Sequence, residues 1–346
     1  MKQASKIFGC FIAGLSLVAG LFCFLAYRQL GAPTGKSEWT WQLVKRKTEI
    51  ARSIQTSKLL VAGGSSVLFG ISAETIEKAT GIPSVNMGTH AVLPMTYHLR
   101  VLQEVLRPGD TALLALEYEL YHRDEKKLDE LYLDYLLSRD HEYFLKLPLF
   151  RQIQIFTQTP VDRIWSGLAA RKRSPGPMNS SVYNTTNLNA NGDQTGHYRA
   201  LRPNIANFDS PGGIMASGFS QRTSGRKTLQ DFAGWCRSNH VQLLATFPNR
   251  ATNKVFQPQI MKQAQADFSA FYQSINVPLL GTVSEATLPE DEFFDTVYHL
   301  TAEGQYARTL RLLTHLRPYL KTSSKEPSSV DDRPAHPVPT ATLSNR

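Results

Sequence analysis

Hydrophobic positions fall into two regimes along the chain. Residues 7–27, IFGCFIAGLSLVAGLFCFLAY, carry no charge over 21 positions, enough for one helix to cross a bilayer. Beyond them the apolar runs are short and separated by longer amphipathic stretches. The first run, at 59–62, is LLVA. Such a run suits a strand buried on both faces, although periodicity alone does not separate it from a buried helix. Further strands are expected at 83–87, 111–116, 241–247 and 277–280. Helices are expected at 71–80, 96–106, 226–239, 259–275 and 302–320. Five strands separated by helical stretches predict an α/β fold, a mostly parallel sheet with helices on both faces.

Three stretches interrupt this rhythm. Residues 121–173 are helical in pattern but do not alternate with strands, which predicts an inserted helical lobe that covers a site or touches a membrane. Residues 174–222 turn to Asn, Gly, Ser and Pro, and a loop of that length is functional or disordered. Within it, Asn189 to His197 (NANGDQTGH) can hold a sharp polar turn near a site. The tail from 322 is rich in Ser and Pro and is expected to be disordered. The organisation expected is an anchor at 1–30, a linker and juxtamembrane helix at 31–57, an α/β domain at 58–321 with an insert at 121–222, and a tail at 322–346. The juxtamembrane helix carries Trp39, Trp41 and a basic cluster at 45–47. That suits either a membrane surface or packing on the domain.

Composition narrows the picture a little. The chain has 346 residues and a formal charge of +9, which points to an acidic partner such as anionic lipid or acidic polysaccharide. No nucleic-acid signature accompanies the charge, so nucleic acid is not expected. Of the three cysteines, Cys10 and Cys23 lie in the apolar segment and Cys236 stands alone. This excludes a disulfide within the folded part, and no cluster has zinc spacing. No metal and no cofactor is expected. A cleaved signal peptide is the rival reading of the apolar segment. Its length, and the lack of a small-x-small site after it, favour an uncleaved anchor.

Candidate chemistry begins where the first strand ends. Gly63 and Gly64 break the run and Ser65 and Ser66 follow at once. A hydroxyl is thereby placed at the carboxyl end of a strand, where ligands sit in open α/β sheets. No Lys-Ser or Lys-Thr follows the glycines, which argues against a phosphate loop. The second strand leads into Asn86, Gly88 and His90, and a glycine there lets a backbone N–H approach a ligand. The third ends in Glu117, a carboxylate that is costly to bury unless paired or functional. Near the other end, Asp295 precedes His299 by four residues in the sequence FFDTVYHLTAEG. An acid so placed can orient an imidazole, which can then take a proton from a serine.

In these blocks the chain resembles the SGNH (GDSL-like) hydrolase superfamily, in its membrane-anchored bacterial branch. The likeness spans about residues 58–320. Gly64-Ser65-Ser66 with Gly70 looks like the serine block, Asn86-Met87-Gly88 is similar to the second block, and Asp295 with His299 matches the last. The resemblance implies a flavodoxin-like three-layer α/β/α fold. By the family's spacing the nucleophile is Ser66, with Ser65 the runner-up, His299 the base and Asp295 its orienting acid. The N–H groups of Ser66 and Gly88 would stabilise the oxyanion, with Asn86 and Glu117 near the substrate. Two departures stand out. The Gly-x-Asn-Asp block is replaced by Leu116-Glu117-Tyr118-Glu119, and the usual acid lies three residues before the histidine. Asp291 or Glu292 could stand in for Asp295, or the site could be a Ser-His dyad.

The activity implied is acyl transfer through an acyl-enzyme, to water as an esterase or to a sugar hydroxyl as an O-acyltransferase. Relatives in alginate O-acetylation and D-alanyl transfer imply an acylated carbohydrate or lipid-linked substrate, a membrane-bound acyl-donor protein, and a domain facing the periplasm from the cytoplasmic membrane. The competing expectation is a membrane-tethered binding or assembly protein with a degenerate site.

Overall fold

The structure is a computed structural model that describes residues 2–170, 182–203, 224–252 and 257–320. The expected tail at 322–346 lies outside them. Five parallel strands form the central sheet, in the order β2-β1-β3-β4-β6. They are β1 (Leu59–Ala62), β2 (Ser84–Asn86), β3 (Thr111–Leu114), β4 (Gln242–Thr246) and β6 (Leu279–Leu280). A separate parallel pair, β5 (Arg250–Ala251) with β7 (Thr287–Leu288), lies outside the sheet and was not expected.

Strand side chains alternate between two cores, as a pleat requires. Leu59, Val61, Leu113 and Leu244 pack against Leu312, Leu313 and Leu316 of the helix Ala302–Leu316. Leu60, Ala62, Ala112 and Ala245 face the other layer, with Met95, Leu102, Phe232 and Phe268. A sheet covered on both faces needs uninterrupted apolar strands, and β1 is buried at all four positions. The amino ends of β1 and β3 are pinned by Asp110, which accepts from the Lys58 backbone N–H at 3.1 Å and from Lys58 Nζ at 2.6 Å. Both side chains are buried.

From β1 the chain passes first to one side and then, through β3, to the other. The switch point therefore falls between the carboxyl ends of β1 and β3. Such a point is where open α/β sheets bind ligands, and here it holds Gly63–Ser66 and Ala115–Glu117.

The apolar N-terminal segment is a helix, Lys2–Arg28. Its stretch Lys6–Arg28 is long and apolar enough to span a membrane, with mean hydropathy 2.4 over its most apolar window. Segment 31–37, expected as a linker, is packed against the insert. Ala32, Thr34 and Ser37 are buried. Asp134 accepts from Thr34 Oγ1 at 2.6 Å and from the Ser37 N–H at 3.1 Å, and it pairs with Arg163. The stretch expected to be helical holds the helices Tyr118–His122, Glu130–Ser138, His141–Lys146, Leu149–Thr157 and Val161–Ala170, and the expected loop at 174–222 lies outside the described residues except for 182–203.

Candidate functional site

Where the sequence suggests a plain Gly-Ser turn, β1 runs into a short helix, Ser65–Gly70. Its register decides which serine faces what. Residues four apart share a helix face, so Ser65 lies with Phe69 and Ser66 with Gly70. The Phe69 ring stacks on the His299 imidazole, centroids 4.3 Å apart and planes 17° apart. Ser65, partly exposed, is thus on the histidine's side. Ser66 is fully buried and its Oγ donates to Ala115 O at 3.3 Å. Ser66, the expected nucleophile, thus turns its hydroxyl to the β3 side of the turn. Because the helix starts at once after Gly64, the second serine turns inward toward β3.

Asp295 and His299 are brought together. Nδ1 of His299 lies 2.7 Å from Asp295 Oδ1. With Nδ1 donating to the carboxylate, Nε2 keeps its lone pair. The loop closes on itself to hold them. Phe294 N–H donates to His299 O at 2.6 Å, Thr301 N–H to Glu292 O at 2.7 Å, and His299 N–H to Thr296 Oγ1 at 3.2 Å. This closure accommodates the four-residue spacing. Glu292 is instead paired with Arg199 at 2.7 Å, and Asp291 is exposed.

Tyr183, from the long insert loop, was not foreseen. Its hydroxyl donates to Asp295 Oδ2 and lies 3.3 Å from His299 Nδ1. Burial raises the Asp295 carboxyl, but the His299 hydrogen bond and charge, with the Tyr183 hydroxyl, outweigh it. The net position is below the usual carboxylate range. Around these groups Trp39 meets Tyr183 and His90 edge-on, at 5.2 and 6.0 Å between centroids. His197, at the end of the NANGDQTGH segment, is buried edge-on against Phe69.

The expected oxyanion donors are committed elsewhere. Gly88 N–H donates to Asn86 Oδ1 at 2.8 Å. Asn86 is fully buried, and its Nδ2 donates to Val67 O and Ile71 O at 3.0 and 2.8 Å. Lys47, also buried, donates to Asn86 Oδ1 at 3.0 Å and Gly88 O at 2.6 Å. Burial pushes the Lys47 ammonium down to about 7 against the opposing charge of Asp193. Asn86 and Gly88 therefore tie β2 to the Ser65–Gly70 helix. A Cβ at position 88 would lie 2.3 Å from Leu68 N, so only glycine permits this approach.

Glu117 accepts from the N–H groups of Gly64 and Ser66 at 2.9 and 2.7 Å. A Cβ at position 64 would meet both carboxylate oxygens within 2.6 Å. Burial nevertheless raises the Glu117 carboxyl, opposed by these hydrogen bonds. The Ser66 N–H is thus occupied, and Glu117 sits under the turn as a strut. His90 also lies near His299. Its Nδ1 accepts from Val92 N–H at 3.1 Å, which leaves Nε2 to carry the proton. Burial, then the charge of nearby His299, lowers its affinity for a second proton.

A cavity of about 550 Å³ lies elsewhere, lined by Trp41, Lys45, Tyr97, Arg100, Arg139 and Tyr143, among others. It includes none of the serine or His299 residues. Its arginines are already paired, Arg100 with Glu104 and Asp140 and Arg139 with Glu38.

No family model and no curated protein matches the sequence. Among solved structures the chain is similar to the crystal structure of YxiM from Bacillus subtilis, at 9% identity and a TM-score of 0.33. That alignment covers 76% of this chain and 57% of YxiM. The chain thus spans little more than half the length of that protein, and a likeness so distant carries no argument about fold or activity.

Proposed function

We propose that the chain is a membrane-anchored serine acyl-transfer enzyme of the SGNH type, with Ser65 as nucleophile, His299 as general base and Asp295 as its orienting acid. The observation that carries this is the Asp295–His299 pair, closed at 2.7 Å and stacked on Phe69, one helical turn beyond Ser65. The strand order, 2-1-3-4 and then the last strand, is that of flavodoxin-like folds, and it supports the family reading.

In the reaction Ser65 Oγ attacks an ester carbonyl and passes its proton to His299 Nε2. Asp295 holds the imidazolium, and Tyr183 holds Asp295. The carbonyl oxygen takes on negative charge and needs a donor. With Gly88 turned to Asn86, we assign that role to His90 Nε2–H. His299 then returns the proton to the leaving oxygen, and water or a sugar hydroxyl releases the acyl group. The charge of +9 and the apolar helix Lys6–Arg28 support an acidic envelope polysaccharide or glycolipid as substrate, a membrane-bound acyl donor, and a periplasmic domain anchored in the cytoplasmic membrane.

The Glu117 carboxylate on the Gly64 and Ser66 N–H groups favours a second reading, a degenerate site in a tethered binding or assembly protein. Labelling of the full chain with a fluorophosphonate, followed by peptide mapping, separates the two. The expected adduct is on Ser65, retained in Ser66→Ala and absent in His299→Ala. An adduct on Ser66 would overturn the assignment. No adduct on a folded chain would favour the binding protein.

A further inference from the structure

Large apolar side chains outside the N-terminal helix are exposed at ten described positions, and six of them fall within 145–165. They are Leu145, Leu149, Phe150, Ile153, Val161 and Trp165, with Phe150 at 73% and Trp165 at 58% exposure. Concentration of this kind marks an interaction surface. The six belong to the insert helices His141–Lys146, Leu149–Thr157 and Val161–Ala170. On the second of these, Leu149, Phe150 and Ile153 are exposed while Ile155 and Phe156 are buried. On the third, Val161 and Trp165 are exposed and Ile164 is buried. Each helix therefore has two apolar faces, of which the protein covers one.

The covered face identifies what meets the other. Its core combines Ile155, Phe156 and Ile164 with Ala26 and Leu30, and Phe22, Leu25 and Leu168 pack against it. The Tyr27 ring meets Phe156 edge-on at 5.1 Å, and its hydroxyl donates to Gln152 Oε1 at 2.8 Å. Phe22 and Leu25 lie inside the uncharged stretch 7–27. Phe22 is six residues from Arg28, about 9 Å along a helix. The insert helices thus reach alongside the last turns of the apolar helix. A bilayer that surrounds Phe22 has no room to avoid them.

We infer that the insert is a second membrane contact, a foot whose helices lie in the lipid interface beside the anchor, with Phe150 and Trp165 among the acyl chains. At nine and ten residues the two helices are too short to span. Their length and one-sided exposure suit helices lying in the plane. Exposed Lys146 borders the patch and can reach lipid phosphates. The inference rests on Lys6–Arg28 spanning the membrane, and it is independent of the serine chemistry.

The test uses the full chain in phosphatidylcholine nanodiscs with plain acyl chains or chains brominated near the glycerol. Bromine quenches tryptophan on contact. Wild type should be quenched, Trp165→Phe should lose most of that quenching, and Phe150→Trp in the Trp165→Phe background should restore it. Equal quenching in wild type and Trp165→Phe would overturn the inference. So would a photo-crosslinker at position 150 that joins two chains and no lipid, which would make the patch a self-association face. Carbonate extraction of membranes separates the two layers of the argument. Release of the chain overturns the anchor and the foot together, whereas retention with an unquenched Trp165 overturns the foot alone.

Discussion

Asn86 offers the sharpest separation of scaffold from chemistry. Its side chain makes four hydrogen bonds inside the protein, two donated to Val67 O and Ile71 O and two accepted from Gly88 N–H and Lys47 Nζ. Asn86→Ala removes all four. Val67 O keeps the Ile71 N–H at 3.3 Å, and Lys47 keeps Gly88 O at 2.6 Å. Ile71 O and Gly88 N–H lose the Asn86 partner within a fully buried site. Each buried orphan costs about 1–3 kcal/mol, so the substitution should cost about 4 kcal/mol. For a domain of this size that corresponds to a fall in melting temperature of about 8–16 °C. The assay is thermal unfolding of the full chain in detergent micelles, with fluorophosphonate labelling measured well below the transition. The folded fraction should still label, because Asn86 holds the helix and touches no substrate. A melting shift under about 2 °C together with lost labelling would refute the argument. It would return Asn86 to the place near the substrate that the sequence suggests.

Two further outcomes follow from the site. Tyr183→Phe removes a hydroxyl that helps hold the Asp295 carboxyl down, so labelling should slow roughly tenfold, the worth of one charge-assisted hydrogen bond. Its acid limb should also move to higher pH, and an unchanged pH–rate profile would count against Tyr183 as a positioning residue. His197 is held by burial at about 4, below the ordinary 6.5 of an unfolded chain. Between those values the unfolded chain binds a proton that the folded one refuses, so stability falls as pH drops from 6.5 to 4. The loss amounts to about 3 kcal/mol by pH 4. His197→Gln should flatten that part of the curve of melting temperature against pH, and a curve as steep as wild type would contradict a buried neutral imidazole.

What the sequence made legible was local. Leu59–Ala62 is readable because an uncharged run between polar flanks admits few alternatives, and Asp295 and His299 because both lie on one loop. The two serines were not separable by spacing. Which hydroxyl faces the histidine depends on where the helix after Gly64 begins, a matter of one residue. Gly88 reads as a donor to a ligand because its glycine is visible, while the Asn86 acceptor that takes its N–H depends on the fold of the turn. Tyr183 had no local signal. It sits 112 positions before Asp295 in a loop of small polar residues, and only the tertiary fold delivers it. The segment 31–37 reads as a linker from its Gly, Pro and Ser content, yet Asp134, some hundred residues away, holds it.

That clamp has a mechanical consequence. Seven free residues could sweep a domain through about 25 Å, but here Thr34 and Ser37 are fastened to the insert and Lys47 is sealed beneath the β2 turn. For a chain anchored in a bilayer, the switch point then has one height above the lipid and one heading relative to its own helix. Under the proposed function, donor and acceptor would then be delivered to that fixed point by lateral diffusion in the membrane and not by the reach of an arm.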